Sequence, residues 1–150
     1  MTHRPFLEVL KKSSGPVTPI VKKYLKDGAE ELRKVHLEGR QGASVCSSYT
    51  HLVDDLLKAL FIYKREELGC TDDVALVALG GYGRGELNLH SDIDLTLLYK
   101  RKITPAVEEL TQQILYILWD TGLDLGFSIR TVGECITLAK DDHKTMTALL

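Results

Sequence analysis

The chain has 150 residues, of which 44% are hydrophobic and 27% charged, and its formal net charge is −2. A chain of this length and composition can bury one hydrophobic core, and the lack of a positive excess argues against a nucleic-acid partner. No stretch approaches the ~20 apolar residues of a membrane-spanning helix, and residues 1–5 begin neither a signal peptide nor a lipidation site, so a cytoplasmic location without a membrane partner is expected.

The first part of the chain, residues 1–70, is predicted to be a helical segment. Residues 1–16 lack a sustained apolar period and end in Ser-Ser-Gly-Pro, so they are predicted to form a mobile arm. Apolar residues at helical spacing then predict two helices. These helices span about 18–38 and 47–68, and a turn is predicted at 40–44. Asp54 and Asp55 are adjacent on the second helix, where their side chains diverge by about 100°, so we expect structural roles for both.

Residues 74–99 are the most informative stretch and are predicted to form a strand, a glycine-rich turn and a second strand. The apolar run Val74–Leu79 is typical of a strand buried on both faces. Glycines in the turn permit positive φ and let backbone N–H groups approach a phosphate closely, and an arginine adds a cation. The candidate phosphate-binding residues of the turn are Gly80, Gly81, Gly83 and Arg84.

Asp92 and Asp94 stand at the start of the second strand and are separated by one residue. Side chains two positions apart on a strand point to the same face, with Cα atoms about 6.6 Å apart. Two such carboxylates can share one Mg²⁺ and bridge to a second ion about 3.5–4 Å away. The alternative is a solvated strand end whose aspartates face water. Ser91, directly before the pair, is a further candidate hydroxyl ligand.

The remainder of the chain is predicted to alternate helix and strand. Thr104-Pro105 predicts a helix start and Gly122 its end, and the pattern 123–131 alternates as a strand with one polar face. If that strand pairs beside the Asp-x-Asp strand, its polar residues could point at the same site; they include Asp124, Ser128 and Arg130. A capping box at Thr131-x-x-Glu134 predicts a short helix through residue 140, with another helix from residue 141.

These elements predict an α/β or α+β fold. It consists of a small mixed β-sheet with flanking helices, preceded by two N-terminal helices, with the helices on one side of the sheet and the metal site on the other. Residues 1–70 are expected to form the helical segment and residues 71–150 the core that carries the site. A dinucleotide-binding fold is excluded, because its glycines would open a helix, whereas here they lead within a few residues into another strand.

Two blocks of sequence resemble known enzymes. Leu79-Gly80-Gly81 followed by Asp92-Ile93-Asp94-Leu95 resembles the signature of the nucleotidyltransferase superfamily related to DNA polymerase β. More narrowly, the stretch 80–95 and the later stretch Leu118–Thr131 are similar to the N-terminal domain of bifunctional uridylyltransferase/uridylyl-removing enzymes, which modify the nitrogen-regulatory PII protein.

The resemblance implies a polymerase β-like nucleotidyltransferase fold and transfer of UMP from UTP to a tyrosine of PII, with release of pyrophosphate. Two Mg²⁺ ions, or Mn²⁺ in their place, would be held by Asp92 and Asp94, and the superfamily usually adds a third carboxylate on a later strand. Asp124 is the local candidate, although it stands near the beginning of its strand rather than in the middle. The nucleotide would be bound by Gly80, Gly81, Gly83, Arg84 and Ser91. The resemblance further implies that the chain is the N-terminal fragment of a longer multidomain enzyme.

Two alternatives remain open at this level. Nothing in the spacing of the motifs selects uracil over adenine, so an adenylyltransferase that acts on a protein or a small molecule is one alternative. The other is a non-catalytic nucleotide-sensing module, in which the aspartates hold metal without turnover.

Overall fold

In a computed structural model, which describes residues 4–39 and 41–149, the protein has a mixed α/β fold. Three strands pair in the order β1-β2-β3, with β1 antiparallel and β3 parallel to the central β2. The elements are α1 (Arg4–Lys12), α2 (Val17–Leu37), α3 (Gly42–Glu67), β1 (Val74–Ala78), α4 (Gly80–Gly83), β2 (Ile93–Tyr99), α5 (Pro105–Asp120), β3 (Leu125–Arg130), α6 (Val132–Asp141) and α7 (His143–Leu149). This confirms the predicted fold class of a small mixed sheet with flanking helices.

The strand register divides the sheet into two chemically different faces. Ile93, Leu95 and Leu97 of β2 point to one face, where they are buried against apolar residues of α3 and α5 in one continuous core. Asp94 and Thr96 point to the opposite face. The prediction that the helices lie on one side of the sheet is wrong for α6 and α7, which lie over part of this second face. They enclose an apolar cleft of about 410 Å³ with β1 and β2.

The mobile arm predicted for residues 1–16 is wrong for residues 4–12, because Arg4–Lys12 forms helix α1. The ring of Phe6 stacks on that of Tyr24 with centroids 3.9 Å apart, and Leu10 is fully buried. Lys11 also forms an ion pair of 2.7 Å with Glu66 on α3. Two apolar residues four positions apart are enough to bury one face of a nine-residue helix, although they are too few to give a clear helical period in the sequence.

The boundaries of α2 and α3 differ from the predicted ones at their N-termini. Helix α2 starts at Val17, after an extended Pro16, rather than after Thr18. Helix α3 starts at Gly42, so the turn predicted for residues 40–44 is wrong from residue 42 onward, and residue 40 lies outside the described residues. Val45 in this first turn of α3 is buried, which the small residues around it do not signal.

Strand β1 is not buried on both faces as predicted. It pairs only with β2 within the described residues, so it forms an edge of the sheet, and Ala75 is exposed. An apolar groove of about 540 Å³ lies between β1 and α3, where Leu57 and Phe61 line it. The apolar residues of β1 therefore serve two purposes: some pack against the core, and some line the groove along this edge strand.

The later elements follow the prediction closely. Thr104 caps α5 by accepting a hydrogen bond of 3.2 Å from the N–H of Val107, and the capping box of Thr131 and Glu134 opens α6. The hydrophobic core runs without a break from α1 to β3, so the helical residues before position 70 and the sheet after it share one core. None of the helices in the described part of the chain is both long and apolar enough to cross a membrane.

We expect Leu10→Ala to lower the free energy of unfolding by about 2–5 kcal/mol, because it leaves a cavity between α1 and the core. Val9→Ala is the matched control, because Val9 is 50% exposed on the same helix and its truncation should cost less than about 1 kcal/mol. Urea unfolding of both variants measures the difference. Equal small effects would show that α1 does not contribute to the core.

Candidate active site

Asp92, Asp94 and Asp124 lie on the same face of the sheet at one end of β2 and β3. In the parallel register Asp94 is opposite Gly126, and the N–H of Ile93 donates a hydrogen bond of 2.9 Å to the carbonyl of Asp124. Asp124 therefore lies directly across from Asp92. Asp124 stands just before its strand and not in the middle, where the family pattern would place a third carboxylate. Asp92 also stands just before its strand, so the parallel register brings the two residues together.

The two carboxyl groups of Asp92 and Asp124 interact with each other. The charge of Asp124 and a hydrogen bond to it raise the pKa of the Asp92 carboxyl above its ordinary value of 3.8, and the charge of Asp94 acts in the same direction. Within the described residues, no three His, Cys, Asp or Glu side chains already form a complete set of metal ligands. The arrangement is thus a set of neighbouring carboxylates that repel one another.

The carboxylate of Asp94 lies between two glycines. One of its oxygens occupies the place that a side chain on residue 126 would take, and the other is 3.5 Å from where a Cβ on Gly80 would lie. The backbone carbonyl of Asp94 also accepts a hydrogen bond of 2.9 Å from the N–H of Leu79. Sequence reasoning missed Gly126, although a glycine inside an alternating strand pattern is a signal for close approach of another group.

The glycine-rich turn contains a one-turn helix, α4, rather than an open loop. Gly80 has a φ of 58°, which favours glycine, and its N–H and that of Gly81 stand at the helix start, where they have no acceptor within the helix. The N–H of Gly83 donates to the carbonyl of Leu79 at 2.9 Å. A Cβ on Gly83 would lie 2.8 Å from the carbonyl oxygen of Ala78, so this glycine permits close packing of the turn on β1.

Two polar residues that flank the turn form local hydrogen bonds. Arg84 donates from Nε to Glu86 at 3.1 Å, with 46% of its side chain exposed. Ser91 accepts a hydrogen bond of 3.2 Å from the N–H of Asn88, which shapes the approach to Asp92. Both residues lie on the segment that joins the glycines to the carboxylates.

Two buried residues attach this segment to α3. The hydroxyl of Tyr82 donates a hydrogen bond of 2.7 Å to Asp54, and the N–H of Leu87 donates one of 3.2 Å to the hydroxyl of Thr50. Burial and the bond to Asp54 raise the pKa of the Tyr82 hydroxyl far above its ordinary range. The partner of Asp54 lies 28 positions away and could not be identified from the sequence.

A cleft of about 330 Å³ extends from Asp94 along the sheet, under α6 and α7. Ser128 and Arg130 line it, as expected from the alternation of β3, together with Lys144 of α7. The hydroxyls of Ser128 and Thr96 bond to each other across the two strands. The cleft next to the carboxylates therefore combines polar and apolar side chains.

This geometry can be compared with known proteins. The family model described as "Putative nucleotidyltransferase DUF294" matches residues 26–129. The chain belongs to this nucleotidyltransferase family. The match begins within α2 and ends within β3, so it includes both the glycine-rich turn and all three aspartates.

Several curated relatives share one name, bifunctional uridylyltransferase/uridylyl-removing enzyme. That of Rhodospirillum rubrum is 38% identical over 138 residues, which cover 87% of this chain and 15% of the relative. The relative from Nitrosococcus oceani is 36% identical over 146 residues, which cover 97% of this chain and 16% of the relative. The relative from Pseudomonas putida is 37% identical over 129 residues, which cover 86% of this chain and 14% of the relative. The chain thus spans only 14–16% of the length of these relatives. No solved structure gives a significant match.

We expect Asp124→Asn to stabilise the protein at neutral pH when no divalent cation is present. Asp92 has a higher pKa in the folded than in the unfolded chain, so its ionisation opposes folding; this penalty begins above the ordinary pKa of 3.8 and is complete once the pH exceeds the raised pKa. Below the ordinary pKa of 3.8 Asp92 is protonated in both states and the penalty vanishes. Urea unfolding in EDTA between about pH 4 and about pH 7 should show a stability gain that increases with pH.

Asp120→Asn, which removes an exposed carboxylate at the end of α5, is the control and should give no such pH-dependent gain. An Asp124→Asn protein that is less stable than the wild type at neutral pH would contradict the inferred repulsion.

Proposed function

We propose that the protein is a metal-dependent nucleotidyltransferase that transfers UMP from UTP to a tyrosine of the PII protein and releases pyrophosphate. The observation that carries this proposal is the convergence of Asp92, Asp94 and Asp124 on one sheet face beside the glycine-rich turn. Membership of a nucleotidyltransferase family supports the reaction type. The uridylyl group follows from the name of the relatives, and the PII acceptor from the resemblance described above.

The donor set fits a hard divalent cation. All three candidate ligands are carboxylates, which Mg²⁺ and Mn²⁺ prefer, and the raised pKa of Asp92 reflects a repulsion that such an ion would relieve. Asp92 and Asp94 would hold two ions, with Asp124 as the third carboxylate. When bound, the ions would neutralise charge on the triphosphate and favour an ionised attacking hydroxyl.

The chain's own groups would orient the donor nucleotide. The N–H groups of Gly80 and Gly81 would donate to the β- and γ-phosphates, and Arg84 would exchange its partner Glu86 for a phosphate oxygen. Gly83 would contribute through its missing side chain, because its own N–H already bonds to Leu79. Ser91 would support the segment that leads to Asp92 and is a candidate hydroxyl donor to the nucleotide.

In the proposed reaction the tyrosine oxygen of the acceptor attacks the α-phosphorus of UTP. A new P–O bond forms to the tyrosine, the bond from the α-phosphorus to the bridging oxygen breaks, and pyrophosphate leaves with that oxygen. The tyrosine proton passes to solvent or to a nearby carboxylate. We assign only transfer to this region and place it in the cytoplasm, where its three free cysteines would stay reduced.

Incorporation of labelled nucleotide separates the proposed function from its alternatives. The protein is incubated with Mg²⁺, PII and either labelled UTP or labelled ATP. Label from UTP on PII supports the proposal, label from ATP favours an adenylyltransferase, and nucleotide binding without incorporation into any acceptor favours a sensing module.

We expect Asp92→Asn and Asp94→Asn each to reduce transfer by at least about 10³-fold, because each removes the charge of a metal ligand and keeps the side-chain shape. Circular dichroism should show an unchanged fold. Asp120→Asn is again the control and should leave transfer intact, because Asp120 lies on the exposed end of α5. Near-normal transfer by either active-site variant with Mg²⁺ would refute the metal assignment.

Gly81 and Gly83 are expected to respond differently to substitution by alanine. A Cβ on Gly81 meets only the end of the Arg84 side chain, at 3.9 Å, so Gly81→Ala should preserve stability and raise the UTP dissociation constant roughly fivefold or more by occupying phosphate space. Gly83→Ala should instead lower stability by about 1–3 kcal/mol, because the added Cβ meets the Ala78 backbone.

Calorimetry with UTP and thermal unfolding of both variants test this contrast. Unchanged UTP affinity in Gly81→Ala would indicate that the turn is only a structural connection.

A further inference from the structure

We infer that Asp54 and Thr50 of α3 are positioning residues for nucleotide binding, because they fix the conformation of the glycine-rich turn from outside it. This inference rests on the proposed function, since it assumes that the turn contacts the nucleotide. It assigns to α3 a part in the active site, although no residue of α3 belongs to the candidate ligand set.

The first attachment lies at the centre of α4. Tyr82 stands between Gly81 and Gly83, is only 5% exposed, and donates its hydroxyl hydrogen to Asp54 at 2.7 Å. A hydrogen bond to a carboxylate is stronger than one between neutral groups. Asp54 is also 3.6 Å from Lys58 one turn further along α3, and 31% of its side chain is exposed.

The second attachment lies five positions further along the chain. The N–H of Leu87 donates to the hydroxyl of Thr50 at 3.2 Å, and the same hydroxyl donates to the carbonyl of Cys46 at 2.9 Å, so Thr50 is fixed in orientation. Leu87 is 1% exposed. The residues between the two attachments, 83–86, are all exposed and include Arg84.

The external attachments add to the turn's own backbone hydrogen bonds in fixing its conformation. Gly80 and Gly85 have φ values of 58° and 75°, and glycine populates many other conformations at little cost. A binding turn contributes most when its N–H groups already point at the ligand before binding. Tyr82 and Leu87 are the large apolar residues of this segment that are buried, and their hydrogen bonds to α3 select one arrangement of the glycine amides.

The test compares Asp54→Ala with Asp54→Asn and Tyr82→Phe in the full chain. Asp54→Ala and Tyr82→Phe should each raise the Kd and KM for UTP roughly tenfold while kcat changes little, and the double variant should be no worse than either single one, because both remove the same bond. Asp54→Asn should stay within about twofold of the wild type, since its amide oxygen still accepts the hydrogen bond. Lys58→Ala is the matched control, because it removes the other neighbour of Asp54 and leaves Tyr82 in place.

A second arm uses Thr50→Val against Thr50→Ser, so that the inference remains testable if Asp54→Ala fails to fold. Thr50→Val removes the acceptor for Leu87 and should raise the Kd for UTP, whereas Thr50→Ser keeps the hydroxyl and should not. Hydrogen exchange of residues 80–91 gives a readout independent of activity. It should become faster in Asp54→Ala and Thr50→Val under conditions in which the core remains protected.

Lower thermal stability with unchanged UTP affinity in Asp54→Ala, Tyr82→Phe and Thr50→Val would overturn the inference and leave the proposed function intact. A wild-type protein that binds no UTP in the presence of Mg²⁺ would overturn both. Loss of UTP affinity in Lys58→Ala equal to that in Asp54→Ala would also overturn the inference, because it would point to general disturbance of α3.

Discussion

The parallel pairing of β2 with β3 is the interaction on which the candidate site depends. Because the strands run in the same direction and begin together, Asp92 and Asp124 lie side by side, and the N–H of Ile93 bonds to the carbonyl of Asp124 at 2.9 Å. An antiparallel β3 would place Asp124 at the opposite end of β2. The pairing brings like charges together, and the raised pKa of Asp92 reflects that cost.

Around these carboxylates the chain repeatedly uses glycine to bring groups together, for a different reason at each position. Gly80 adopts a positive φ at the start of the turn, Gly83 lets the turn approach the backbone of Ala78, and Gly126 leaves room for the carboxylate of Asp94. The site is therefore assembled by close backbone approach. A substitution at Gly80 would therefore disturb the turn conformation, one at Gly83 the packing of the turn, and one at Gly126 the position of the Asp94 carboxylate.

Helix α3 links the helical N-terminal region to the site. It contributes core residues beneath the sheet and two hydrogen-bond acceptors to the glycine-rich segment. The family match, which starts at residue 26, likewise includes α3 together with the strands. The region before residue 70 thus forms one packed unit with the sheet, and this explains how residues distant in sequence from the turn can stabilise its conformation.

The sequence by itself determined the elements whose signals are local. The glycine-rich turn, the Asp92/Asp94 pair, the Thr104 cap and the alternation of β3 depend on residues within a few positions of each other, and the structure contains the corresponding elements. Tertiary structure decided the features that depend on distant contacts. These are the burial of α1 through Phe6 and Leu10, the edge position of β1, the place of Asp124 beside Asp92, and the bond from Tyr82 to Asp54. All four could not be predicted for the same physical reason. Strand order and long-range packing are properties of the whole core, and the local pattern of residues does not encode them.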